Sequence, residues 1–115
     1  MITLYGIKNC DTVKKTRRWL EAHGVDYRFH DFRADGLEQK QLQRWADQVG
    51  WETLLNRRGT TWRQLPETER ADLDAARATK LMLKHPTLIK RPVLEDGDDV
   101  SVGFAEKNYQ DRFGA

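Results

Sequence analysis

The sequence predicts an α/β protein in which a four-stranded mixed sheet carries flanking helices and an all-helical insertion runs over about residues 37–84. Three observations lead there. The chain opens on a strand-like run, an amphipathic helix and a second strand-like run; its middle breaks into helical pieces without a strand; and it closes on two short strands around a tight turn.

Each element follows from its residues. "ITLY", Ile2 to Tyr5, is a short β-type run stopped by Gly6. From Asp11 to His23, Val13, Thr16, Leu20 and His23 recur at helical spacing with Trp19 beside them, and Gly24 follows as a C-cap residue. "VDYRFHDF", Val25 to Phe32, alternates Val25, Tyr27 and Phe29 with Asp26, Arg28 and His30, which is the period of a half-buried strand. A helix over Leu37 to Val49 places Leu42, Trp45, Ala46 and Val49 on one face and ends at Gly50.

Between Trp51 and Leu73 the pieces "WETLLN", "RRGTTWRQL" and "PETERADL" read as several short helices, the last with proline and acids where a helix dipole favours them. A helix over about Asp74 to Lys84 stops before "HP", because the residue preceding proline avoids the helical region. Val93 to Glu95 and Val100 to Val102 then flank a turn at Asp96 to Asp98, and Ala105 to Phe113 suits a last short helix. A β-α-β start makes its strands parallel and a hairpin is antiparallel, so the sheet is mixed. That is the arrangement of thioredoxin-like folds.

Composition narrows the function. A chain of 115 residues reads as one domain over 1–115, and 38% hydrophobic with 33% charged residues suits a soluble globular protein. No apolar run nears the roughly 18 residues of a membrane span, and no signal-peptide pattern opens the chain, so a cytoplasmic protein is expected. Twenty basic residues against 18 acidic ones leave a net charge of +2, which does not mark a direct nucleic-acid binder. The single cysteine, Cys10, has no internal disulfide partner, as suits a reducing compartment.

Cys10 stands in "GIKNCDTVKK", where strand gives way to helix, with Lys14, Lys15, Arg17 and Arg18 following. A free cysteine with a pKa near 8.5 is only about 3% ionised at pH 7, and a helix N-terminus with nearby cations lowers that pKa. Asp11 opposes the effect unless its side chain caps the helix. These residues suit either a reactive thiolate or an inert small residue in a turn. Arg91, in "IKRP", is similarly two-sided: it is a planar donor fork for an oxyanion beside a cis Pro92, or a solvated arginine beside a trans one. His23, His30 and His85 lie on different elements without ligand spacing and read as structural or surface residues.

Four segments in order, the cysteine after "GIKN", "LLNRRGTTWRQL", "LMLKHPTLIKRPVL" and the "VGF" after the hairpin, resemble the arsenate reductase (ArsC) family of the thioredoxin superfamily, in its YffB and Spx branch. The resemblance runs nearly end to end. It implies a thioredoxin-like core with a helical insertion, Cys10 as nucleophile, and Arg91 beside it with Pro92 in cis. Lys8, Asn9, Asn56, Arg57 and Pro92 are the expected substrate-binding residues around them, and no bound metal or organic cofactor is expected.

Departures from the family pattern redirect the function. Glutathione-linked arsenate reductases use three arginines around the cysteine; here "DGDDVSVGF" contains none, and Asn56 stands where the first would align, followed by Arg57 and Arg58. That argues against arsenate as the physiological substrate. The Cys-x-x-Cys switch of many Spx proteins is absent too, since Val13 stands three residues after Cys10. A lone thiolate that attacks a disulfide leaves a mixed disulfide for an outside thiol to clear. The expected function is therefore a glutathione-dependent thiol reductase acting on an unidentified oxidised substrate. The alternative is a non-catalytic, Spx-like module that binds RNA polymerase and regulates transcription. Trp45, Trp51 and Trp62 would then mark a binding face, against the reading that they are core of the insertion.

Overall fold

Strand β1 (Ile2–Gly6) is an inner strand of a four-stranded sheet, in a computed structural model that describes residues 2–114. Helix α1 (Asp11–Ala22) carries the chain over to β2 (Tyr27–Asp31), which pairs with β1 in parallel from Ile2↔Tyr27 to Gly6↔Asp31. On the other side of β1 runs β3 (Val93–Asp96), antiparallel with Leu4 opposite Leu94, and β4 (Asp99–Val102) completes the order β2-β1-β3-β4. Asp96 pairs with Asp99, so the hairpin turns on Gly97 and Asp98, with Gly97 at φ +62°. A last helix, α7 (Glu106–Phe113), sends Arg112 back to this turn, 2.9 Å from Asp99 and 3.7 Å from Asp96.

These elements belong to one of two compact units: residues up to Asp35 together with those from Arg91 onward. Its core is Leu4, Trp19, Leu20, Leu94 and Tyr109, with Val25, Tyr27, Phe29, Phe104 and Phe113 packed around them. Gly24, at φ +67°, ends α1 as the sequence anticipates: its N–H donates to Glu21 and that of Val25 to Leu20, a Schellman closure. That closure explains why β2 starts at Tyr27 rather than Val25, because the Val25 N–H is already committed to the helix end.

The second unit is Gly36–Lys90 and is helical. Its elements are α2 (Gln39–Val49), α3 (Trp51–Leu54), α4 (Thr60–Gln64), α5 (Glu67–Arg70) and α6 (Ala75–Lys84), followed by a 3-10 turn at Pro86–Leu88. Helix α2 begins two residues later than expected because Gly36 is at φ +84° and Glu38 is still extended. Helices α2, α3 and α6 pack together and bury Leu42, Trp45, Leu54, Ala78 and Met82 completely. Helix α6 has a local start signal: the Asp74 carboxylate accepts from the Arg77 N–H at 2.8 Å. The unit extends past residue 84 because backbone bonds hold its last residues, with Asn56 N–H on the Leu88 carbonyl at 2.7 Å and Lys90 N–H on the Leu54 carbonyl at 2.8 Å. Among the described residues no helix is long and apolar enough to cross a membrane.

Candidate active site

The end of β1 and the start of α1 define where the thiol stands. Gly6 closes the strand against α1, and a Cβ there would lie 2.7 Å from Val13 Cγ2, so only glycine admits this approach. Val13 is fully buried, which fixes the first turn of α1 against the strand. Ile7 turns inward, Lys8 and Asn9 are exposed, and Cys10 is half-buried at the N-cap position with extended backbone, φ −138° and ψ 123°. The Cys10 carbonyl accepts the first helical N–H, from Lys14, at 2.9 Å. No side-chain cap hydrogen bond closes this end, and Asp11 is the first helical residue rather than its cap.

The thiol therefore occupies the place an N-cap oxygen would take, facing N–H groups that have no partner within the helix. Partial burial pushes its pKa up, but the Val13 N–H, the hydrogen bond and positive charge of Arg91, and the Thr12 N–H outweigh that and lower it below the ordinary thiol value. Arg91 is half-buried, and the bond to the buried Pro92 is cis, as the resemblance implies. The Pro92 carbonyl accepts from Gly103 N–H at 2.8 Å, tying the segment that carries Arg91 to the end of β4. Cys10, Arg91 and Pro92 thus meet in one unit, through elements some 80 residues apart in sequence.

Lys8 reaches the same loop by another route. Its backbone N–H donates to Asp31 Oδ2 at 3.1 Å, and its side-chain charge helps hold the Asp31 carboxyl down. Burial alone would raise the Asp31 pKa; the N–H groups of Arg33, Lys8 and Ala34 and the Lys8 charge bring it below the usual carboxylate value. Asp31 is a functional residue that the sequence pattern alone does not single out. Half of its signal was present, since an aspartate followed by "FRAD" at a strand end suits an Asx turn, but the bond to Lys8 spans 23 residues.

Asn56 and Arg57 lie in the helical unit. Asn56 Oδ1 accepts from the Arg58 N–H at 3.0 Å, and the Arg57 guanidinium lies over the rings of Trp51 at 5.6 Å and Trp62 at 5.9 Å. With Glu52, Leu55, Arg58 and Lys90 they line a mainly basic pocket of about 270 Å³. Of the tryptophans, Trp45 is core, while Trp51 and Trp62 are half-buried partners of Arg57. The histidines are engaged elsewhere: His23 stacks on Trp19 at 3.9 Å, His30 packs on Tyr5 at 4.9 Å, and His85 caps α6. Among the described residues no group of three or more histidine, cysteine or acidic side chains is placed to hold a metal ion.

A mixed four-stranded sheet with a thiol at the start of the first helix, faced by an arginine before a cis-proline that leads into β3, defines a thioredoxin-like protein with one cysteine. The chain belongs to the ArsC family, which it matches over residues 5–112. It is 47% identical over 113 residues to a protein of Haemophilus influenzae, covering 98% of this chain and 99% of the relative. It is also 30% identical over 112 residues to the global transcriptional regulator Spx of Listeria monocytogenes, covering 92% and 82%. Among solved structures, the YFFB (PA3664) protein superposes with a TM-score of 0.94 at 52% identity, covering 96% of this chain and 97% of the other. An arsenate reductase (ArsC) related protein from Brucella melitensis superposes at 0.79 with 53% identity, covering 99% and 95%.

Proposed function

We propose that this protein is a glutathione-dependent thiol reductase with Cys10 as its nucleophile, working in the cytoplasm. The observation that carries the reading is the thiol itself: it sits at a helix N-cap beside Arg91 with its pKa lowered, and no second cysteine exists in the chain. The Cys10 thiolate attacks a glutathione-bearing disulfide, forming a Cys10–glutathione disulfide and releasing the reduced substrate thiolate. A glutathione thiolate then attacks that mixed disulfide, which regenerates Cys10 and yields oxidised glutathione. The proton lost by glutathione ends on the released substrate thiol. Arg91 holds an anionic group of the substrate or of glutathione through its donor fork, with Lys8 and Asn9 on the exposed turn. Asn56 and Arg57 line a basic pocket within the helical unit that suits an anionic group by itself. Arsenate is not the proposed substrate, because the arginine pattern that would bracket it is incomplete.

Oxidised glutathione tests this. It should add one glutathione to the intact mass at Cys10, reversibly with reduced glutathione, and Cys10→Ser should lose both the adduct and all turnover. A protein that stays unmodified, or that forms mainly a disulfide-linked dimer, sinks the glutathione reading.

The similarity to Spx regulators favours a second reading, a module that binds RNA polymerase without catalysis. Capture of polymerase subunits from lysate separates the two. Equal capture by Cys10→Ala and wild type favours the module, since a docking face does not need the thiol.

A further inference from the structure

Asp31 is 5% exposed and is the one charged residue among the described residues to be buried. Burying a carboxylate is costly unless hydrogen bonds replace its water, and here the two oxygens divide that task. Oδ1 accepts from the N–H groups of Arg33 at 2.8 Å and Ala34 at 3.2 Å, both local bonds that an exposed aspartate would make equally well. Oδ2 accepts from the Lys8 N–H at 3.1 Å, and only this bond requires the carboxylate to face the β1–α1 turn.

We infer that Asp31 is a positioning residue for Cys10, its Oδ2 anchoring the Lys8 amide and so setting where the turn delivers the thiol. The inference rests on the reading of Cys10 as nucleophile. Neighbouring bonds make Asp31 a rigid anchor: Phe32 N–H donates to the Gly6 carbonyl at 2.9 Å, and Asp35 Oδ2 accepts from the Asp31 N–H at 3.0 Å. The turn is thus stitched at Gly6 by backbone and at Lys8 by side chain, leaving Asn9 alone between the last anchor and Cys10. On the far side of the thiol, Val13 is wedged against Gly6. Freeing Lys8 lets Asn9 and Cys10 drift from the Val13 and Thr12 N–H groups and from Arg91, which together favour the thiolate.

The direction of the effect distinguishes positioning from charge. The negative charge of Asp31, acting through space, disfavours a nearby thiolate, so removing it would lower the thiol pKa. Loss of positioning raises it, and a purely structural aspartate leaves it unchanged.

The test is the pH dependence of Cys10 alkylation in the full-length chain, wild type beside Asp31→Ser, with a thermal melt of each. Serine keeps one oxygen for the local turn and has none for Lys8. The midpoint should rise toward the free value of about 8.5, with alkylation near neutral pH slowed several-fold. A midpoint that stays or falls overturns the inference. If the variant does not fold, amide proton shifts in the wild type decide. The Lys8, Arg33 and Ala34 resonances should titrate together, below the ordinary aspartate value of about 3.9, and a Lys8 amide that does not follow overturns the inference. A wild-type alkylation midpoint at or above about 8.5 sinks the nucleophile reading before any variant is made, whereas failure of the positioning role shows only in the comparison with Asp31→Ser or in the Lys8 titration.

Discussion

In the helical unit Leu42, Trp45, Leu54, Met82, Leu88 and Ile89 are buried with no charged residue buried among them; in the sheet unit a core of the same kind borders the buried Asp31, the half-buried Cys10 and Arg91, and a cis peptide bond. Each unit also holds buried polar atoms without a hydrogen-bond partner among the described residues, Trp19 Nε1 and Tyr109 Oη in the sheet unit and Arg70 Nε in the helical unit. What sets the sheet unit apart is the buried carboxylate of Asp31, hydrogen-bonded to the turn that leads to the thiol, whereas the helical unit buries no charged residue. The difference is one of charge: apolar packing and local caps hold the helical unit, whereas the sheet unit also fixes a carboxylate beside its candidate site.

Mutations in each unit test that division. Trp45→Ala should be the most damaging to stability, costing about 3–5 kcal/mol in denaturant unfolding, because an indole that is fully buried leaves a large void. Where the variant remains folded, its Cys10 alkylation midpoint should equal that of wild type. A shifted midpoint would break the separation between the units.

Removing the Asp31 carboxylate should cost about 2 kcal/mol near neutral pH, since charged hydrogen bonds are lost. Its pKa is depressed in the folded state, so its contribution is complete above the unfolded value of about 3.9 and is lost as pH falls through the folded value. The difference between wild type and Asp31→Ser should therefore be constant at neutral pH and shrink in acid. A gap that grows as pH falls would contradict the buried, hydrogen-bonded carboxylate.

Arg91→Lys keeps the charge but not the planar fork, and should reduce turnover at low substrate roughly tenfold, or about 1.4 kcal/mol of transition-state stabilisation. Stability should change little. A lysine variant equal to wild type would reduce Arg91 to a point charge in the proposed mechanism.

The smallest effect should come from Tyr109→Phe. Burial pushes the Tyr109 phenol pKa far up, and its hydroxyl finds no partner, so deleting it should raise stability by up to about 1 kcal/mol, read as a higher melting temperature. Destabilisation would show that the hydroxyl is satisfied.

Much of this architecture was legible in local patterns. The run "ITLY", the helical spacing of Val13, Thr16 and Leu20, the stop at Gly24 and the hairpin around Gly97 all mark elements that formed within about two residues of where they were expected. Such signals are local, because each is a property of residues within one or two turns or a single hairpin. Residue order likewise determined that Cys10 would begin a helix and that no second thiol would stand behind it. Contacts between distant segments were decided only by the tertiary structure. Packing of β3 beside β1 brought Arg91 to the thiol, and parallel pairing of β2 with β1 brought Asp31 to the Lys8 amide. Folding of the helical unit put Arg57 against the Trp51 and Trp62 rings, which in the sequence read as core of the insertion, with a binding face as the alternative. A partner tens of residues away leaves no periodic trace in one sequence, since the bond depends on where two segments meet and not on what lies beside either of them.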